Sequence, residues 1–299
     1  MIWLFAAFIT NIIEQLIIRY SLDSLDIIVF AFLFYLFGTF FTFLYHFRKK
    51  HTEKIFDWPG AVKELPLLLT YISAAFLANA LWFVSVVSIG LGMTAFILIF
   101  IRIIVTTYSY LFMQDKIGTD KAIALVIGFG ALLVFSATGY EVPTWGVLLA
   151  FLSCFGFAAE TIARKKLVER KANIENMLIL RQASSCILWG VLLLFSIYVL
   201  GDISSSVLHS IEMTALGFII LVAFLGGMLL HLFSFQAMKT VRLSLYESIN
   251  SMKPVVIASI GAIFFGEVIT TLQIISGTVV IVSSLYFLRP DLPSKLNVP

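Results

Sequence analysis

The sequence predicts an all-α membrane protein of ten transmembrane helices, arranged as two inverted five-helix repeats with both termini cytoplasmic. Three observations carry that prediction. Of 299 residues, 61% are hydrophobic and only 12% charged, about half the roughly 25% usual in soluble domains. The apolar residues collect in runs long enough to span a bilayer. Lys and Arg collect in every second connection between those runs. Mean hydropathy is +1.04. A soluble fold of this length has too much surface for so few charges, which excludes a cytosolic enzyme, a nucleic-acid binder and a disordered chain.

A spanning helix takes about 20 residues. Runs bounded by charged or turn-forming residues cover 2–19, 25–46, 66–87, 91–112, 121–139, 143–163, 176–199, 213–236, 243–264 and 269–288. The third and fourth divide only at Ser88-Ile89-Gly90-Leu91-Gly92, through the two glycines. Ten spans use roughly 200 residues, so the connections are short and no separate soluble domain fits. The N-terminal stretch has no basic n-region and reads as the start of a retained first helix. Cys154 and Cys186 both lie in apolar runs, which argues against a disulfide framework, and no metal-site spacing exists.

Charge placement sets the orientation. The second connection carries Arg48, Lys49, Lys50 and Lys54, and the fourth carries Lys116 and Lys121. The sixth carries Arg164, Lys165, Lys166, Arg170 and Lys171, the eighth Lys239 and Arg242, and the tail Arg289 and Lys295. Odd-numbered connections hold almost none, Arg19 excepted, and the seventh is acidic, with Asp202 and Glu212. By the positive-inside rule, both ends face the cytoplasm.

The two halves, 1–140 and 141–299, resemble each other. Ala7 to Glu14 matches Ser153 to Glu160, so each half has one acid in its first helix. Ser88 to Ile117 matches Thr240 to Ile269 without a gap. In that register Asn79 falls on His231, Arg102 on Pro254 and Asp115 on Glu267. An odd number of helices per half makes the halves cross the membrane in opposite senses. That is the inverted-repeat plan of many secondary transporters, whose site lies near the midplane between the repeats.

The stretch Ala237-Met238-Lys239, Ser248, Pro254, Gly266-Glu267, Gln273 and Gly277 resembles the C-terminal repeat of the drug/metabolite transporter superfamily, EamA type. The resemblance implies a ten-helix transporter of a bacterial plasma membrane with both ends inside, a small-molecule substrate and no cofactor. The first repeat departs from the pattern. Arg102 stands where the family often has Pro, and Gln114-Asp115 replaces Gly-Glu.

Six charges lie inside apolar spans: Glu14, Glu160, Glu247, Arg102, Arg181 and Lys253. Each would cost about 2.5–3.5 kcal/mol at the bilayer centre, so each must pair, snorkel or face a wet cavity. Arg181 lies close enough to the helix start at Asn176 to snorkel to the cytoplasmic surface. Glu160 and Arg164 are spaced to pair along one helix face. Glu247 lies near Arg242 and is expected to pair with it near the surface or to face the cavity. Arg102 and Lys253 sit mid-helix, about 15 Å from either end, and are expected to line a cavity. Asn11, Glu14 and Gln15 share one face of the first helix. Tyr246, Glu247, Asn250 and Lys253 do the same in the ninth, followed by Pro254, which cannot donate a backbone hydrogen bond and should bend the helix. Such a bend is tolerated where it lines a cavity. Asn79 and Trp82 in the third helix, with His231 and Ser234 in the eighth, complete the candidates. Ala74/Ala78, Ala124/Gly128, Ala223/Gly227 and Ala258/Ala262 are small-residue pairs that permit close helix approach.

These features favour a secondary transporter working by alternating access on a zwitterionic or charged metabolite, such as an amino acid. Protons are a candidate coupling ion through Glu14. A drug or toxic-cation exporter of the same fold is the main alternative, and a channel or lipid flippase the weaker ones. An enzyme is disfavoured: no His-Glu-x-x-His, Gly-x-Ser-x-Gly or P-loop run exists. One chain holds both repeats, so a monomer suffices and a dimer is the other option.

Overall fold

A computed structural model of the chain describes residues 2–22, 25–49, 64–113, 118–137, 143–201, 211–250, 252–266 and 270–287. Regular structure among them is entirely helical, as a bilayer requires of a chain that must satisfy its own backbone polar groups. The helices are α1 (Ile2–Leu22), α2 (Ile27–Lys49), α3 (Leu65–Ile89), α4 (Leu91–Phe112), α5 (Thr119–Ala137) and α6 (Thr144–Glu169). They continue with α7 (Ile174–Leu200), α8 (Met213–Thr240), α9 (Leu243–Asn250), α10 (Lys253–Phe265) and α11 (Thr271–Phe287). Among the described residues, seven helices are long and apolar enough to cross a membrane: α1–α4 and α6–α8. Lys50, Lys54, Lys116, Asp115, Asp202, Glu267, Arg289 and Lys295 lie outside the described residues.

Local sequence explains the boundaries. Gly90 separates α3 from α4 with φ of +83°, a conformation in which only a residue lacking Cβ is unstrained. The Asn173 side chain caps α7, accepting from Glu175 N–H at 2.9 Å and Asn176 N–H at 3.1 Å. α6 runs through Arg164, Lys165 and Lys166, which the sequence assigns to a connection.

Four of the predicted helices depart from regular α geometry. The ninth predicted helix is two pieces, α9 and α10, meeting at a turn at Met252, just before Pro254. α4 is interrupted at Leu98, with no proline to mark it. In the register that aligns Ser88 to Ile117 with Thr240 to Ile269, Leu98 falls on Asn250, two residues before the turn at Met252. α8 widens to a π-helix over Ala223–Leu230, and α7 ends in one over Ser196–Leu200.

The first helix of each half packs against the third of the other: α1 on α8, α6 on α3. The second helices pack together (α2 on α7), as do the fourth (α4 on α9 and α10) and the fifth (α5 on α11). Small residues make these contacts. A Cβ at Gly156 in α6 would lie 2.8 Å from Ala78 Cβ and 3.2 Å from the Ala74 carbonyl in α3. Gly227 in α8 faces Gly38 in α2, and Gly128 in α5 faces Ser283 in α11. Phe30, Phe34, Trp82, Phe83 and Trp189 fill the central core, while Phe5, Phe40, Phe47 and Phe112 point outward.

One end of the bundle gathers the basic segments. Arg170 pairs with Glu64, and His46 Nδ1 lies 3.4 Å from Glu175. Lys165 Nζ donates to the Met238 carbonyl at 2.9 Å, and Lys166 lies over the Tyr108 ring. The helix ends that border predicted connections two, four, six and eight therefore lie toward one face.

Candidate functional site

A cavity of about 200 Å³ lies between the halves. All helices contribute to its lining except the fifth of each half, α5 and α11, which pack on each other. Asn11, Glu14 and Gln15 enter from α1, Asn79 and Trp82 from α3, and Arg102 from α4 just beyond the Leu98 interruption. Glu160 comes from α6 and His231 from α8, at the end of the π-turn. Tyr246, Glu247 and Asn250 come from α9, and Lys253 from the first residue of α10. These twelve residues, scattered over the sequence, thus share one cavity.

Phe34, Tyr35 and Thr161 also line the cavity and escape the sequence reading, and Arg164 and Arg181, read there as the partner of Glu160 and as a snorkelling side chain, line it as well. Arg181 corrects the expectation of a snorkelling side chain. It is 3% exposed and its Nε donates to Glu160 Oε1 at 3.1 Å. Arg164 pairs with the same carboxylate and sits over the Tyr71 and Phe235 rings, 5.8 and 5.5 Å from their centroids. Glu160 is therefore clamped by two guanidinium groups. The available signal for Arg181 was its neighbours: Gln182 and Ser185 put a polar face on α7, and all three are buried.

Glu247 also departs from one of its two expected settings. It is buried and lines the cavity, while Arg242 is exposed, and no ion pair joins them. Its charged neighbours are Lys253, Arg102 and Arg164. Neither Glu247 nor Lys253 makes a hydrogen bond or close ion pair among the described residues. Lys253 stands nearest in charge to Glu247 and Glu14, one acid from each half. Glu14 Oε2 accepts from Asn11 Nδ2 at 2.8 Å, and Asn11 Oδ1 accepts from Gln15 Nε2 at 3.0 Å. Tyr246 donates to Ser234 at 3.0 Å, and Asn79 Nδ2 to the Ala75 carbonyl at 2.7 Å.

The lining thus holds three carboxylates and four bases, a formal surplus of one positive charge. Trp82 Nε1, His231 Nδ1 and Gln15 Oε1 are buried there without a hydrogen-bond partner among the described residues. Buried polar atoms are nearly always paired, so these are contacts that a polar solute can complete. The arrangement suits binding a small molecule with groups of both charge signs. Among the described residues, no group of His, Cys, Asp and Glu side chains is placed to hold a metal ion.

No curated relative matches the chain. A solved structure described only as "Crystal structure of protein" matches with a TM-score of 0.64 and 12% identity, covering 95% of this chain and 94% of that one. That likeness concerns the fold. Residues 144–289, from the start of α6 to just past α11, match the EamA-like transporter family. Over that stretch, which carries Glu160, His231, Glu247 and Lys253, the chain is similar to the EamA-like transporter family.

Proposed function

We propose that the cavity is the substrate site of a secondary transporter that moves a small metabolite bearing both charge signs, an amino acid or similar, by alternating access. The reading takes the chain as ten spans in two inverted five-helix repeats, 1–140 and 141–299, with both ends cytoplasmic in a bacterial inner membrane. The exchanged packing of first and third helices supports it, as do the interruptions in both fourth helices and the basic segments at one end. A single chain supplies both walls of the cavity, so a monomer suffices.

One observation carries the substrate class. Glu160 is already neutralised by Arg164 and Arg181, whereas the Glu247 carboxylate and the Lys253 ammonium face the cavity with no direct partner among the described residues. A zwitterion supplies the missing amine and acid. The surplus of bases argues against the toxic-cation exporter. Glu14 faces the same cavity and is the candidate for proton coupling.

The test is uptake into proteoliposomes of labelled neutral, acidic and basic amino acids. The reading expects uptake of at least one above empty liposomes, reduced by Lys253→Met. Rates equal to empty liposomes for the whole panel, with a tetraphenylphosphonium-type cation transported instead, would overturn it in favour of the exporter.

A further inference from the structure

Gly226 lies inside the π-turn of α8, opposite Glu14 on α1. The three heavy atoms nearest to a Cβ built on Gly226 all belong to Glu14: its Oε1, its Cδ and, at 2.6 Å, its Cγ. No other described glycine has a carboxylate from a different helix in that place. The missing side chain is therefore a slot, and the Glu14 carboxyl fills it.

The rest of the wall fits this reading. Gly227, the next residue, meets Gly38 backbone to backbone, and its carbonyl accepts from the buried Gln182 amide. The Gln182 contact reaches the π-turn from outside α8. The widened backbone is thus braced from α2 and α7 while Gly226 faces α1. On the other side, Asn11 holds Glu14 Oε2. The carboxyl is fixed between Asn11 and the bare Gly226 backbone, at the wall of the cavity.

We propose that Gly226 is a positioning residue for Glu14: the slot in the π-turn holds the carboxyl against the wall and leaves the centre of the cavity to the solute. The claim about solute rests on the transport reading above; the claim about Glu14 and Gly226 does not. A methyl group at position 226 meets the Glu14 side chain from Cγ outward, and no backbone atom is among its three nearest neighbours, so it is the side chain that has to move. The carboxyl must leave the slot and swing into the cavity. Cutting Glu14 back to alanine removes all three of those atoms. Gly226→Ala should therefore cost less in a Glu14→Ala chain than in the native one.

The experiment compares four purified chains: native, Gly226→Ala, Glu14→Ala and the double variant. Gly→Ala within a helix ordinarily stabilises by reducing chain entropy. Here Gly226→Ala should instead lower the melting temperature, by about 3 °C or more, and the same change made in the Glu14→Ala chain should cost less than half of that. Uptake of labelled alanine, glutamate and lysine in proteoliposomes gives the second readout. Gly226→Ala should raise KM about tenfold with kcat less affected, and the double variant should lie within about threefold of Glu14→Ala. Additive losses in melting temperature overturn the slot, because a purely structural glycine gains nothing from a truncated Glu14. If Gly226→Ala does not fold, recovery of folded protein in the double variant supports the slot, and no recovery overturns it. If the native chain transports none of the three, the transport reading fails, and the melting cycle still decides the Glu14–Gly226 contact.

Discussion

Glu14 and Glu160 occupy matching positions in the first helices of the two halves, yet their surroundings differ. Glu160 is closed off: Arg164 and Arg181 both bind its carboxylate, and all three side chains are buried. Glu14 is held by an uncharged amide and rests on a glycine, with no cation in direct contact among the described residues. The register that aligns the two acids also places Arg164 on Ile18 and Arg181 on Tyr35. The first half lacks both bases. Lys253, the base nearest Glu14 in charge, is shared with Glu247 of the other half and paired directly with neither. The same skeleton thus carries a locked acid on one side of the cavity and an open group of charges on the other. Related positions diverge in role through their neighbours on the same and adjacent helices.

The largest test of that contrast is Glu160→Gln. It leaves two buried guanidinium groups without a negative partner, and breaking such a cluster costs about 3–5 kcal/mol. A steep drop in melting temperature, or loss of folded protein, is expected. An unchanged melt would mean that the cluster is no lock.

Lys253→Met acts on the open side. It should leave the fold intact and lower zwitterion uptake about 10–100-fold, the effect of losing a charged hydrogen bond. Equal losses of stability in Lys253→Met and Glu160→Gln would erase the distinction between the two sides.

Glu14→Gln retains the hydrogen bond to Asn11 and the shape of the side chain. Its melting temperature should stay within about 3 °C of native. Its uptake should fall less than about tenfold, with a flattened dependence on external pH if Glu14 carries the coupling proton. A full pH dependence in this variant removes Glu14 from coupling. The smallest effect belongs to Tyr35→Phe, which keeps the ring at the position matching Arg181. It should change uptake less than about threefold, because a neutral hydroxyl contributes about 1 kcal/mol or less.

How much of this the sequence revealed follows from the same physics. Arg102 and Lys253 stood out because a charge in mid-helix has few tolerable settings, and the cavity is one of them. The pairing of Glu160 with Arg164 followed from helix periodicity. Arg181 did not, because its distance from the helix start suggested an easy route to the surface. Its actual partner lies 21 residues away across a helix contact, which no local pattern encodes. The break near Pro254 was marked by a missing N–H, whereas the one at Leu98 has no such residue and arises from packing. Gly226-Gly227 entered the sequence reading only through the small pair Ala223/Gly227. That the backbone there widens into a π-turn and receives a carboxyl depends on α1, α2 and α7 together.

The central claim is that the open charges read a solute of both signs. Thermal shift of the purified native chain and of Lys253→Met, each with amino acids and with the matching decarboxylated amines, tests it most directly. A bound solute raises the melting temperature by an amount that grows with the logarithm of its concentration over its dissociation constant. The account predicts that native protein is stabilised by at least one amino acid and not by its amine, and that Lys253→Met loses this preference. Equal stabilisation of the native chain by amino acid and amine, or an undiminished preference in Lys253→Met, would contradict it.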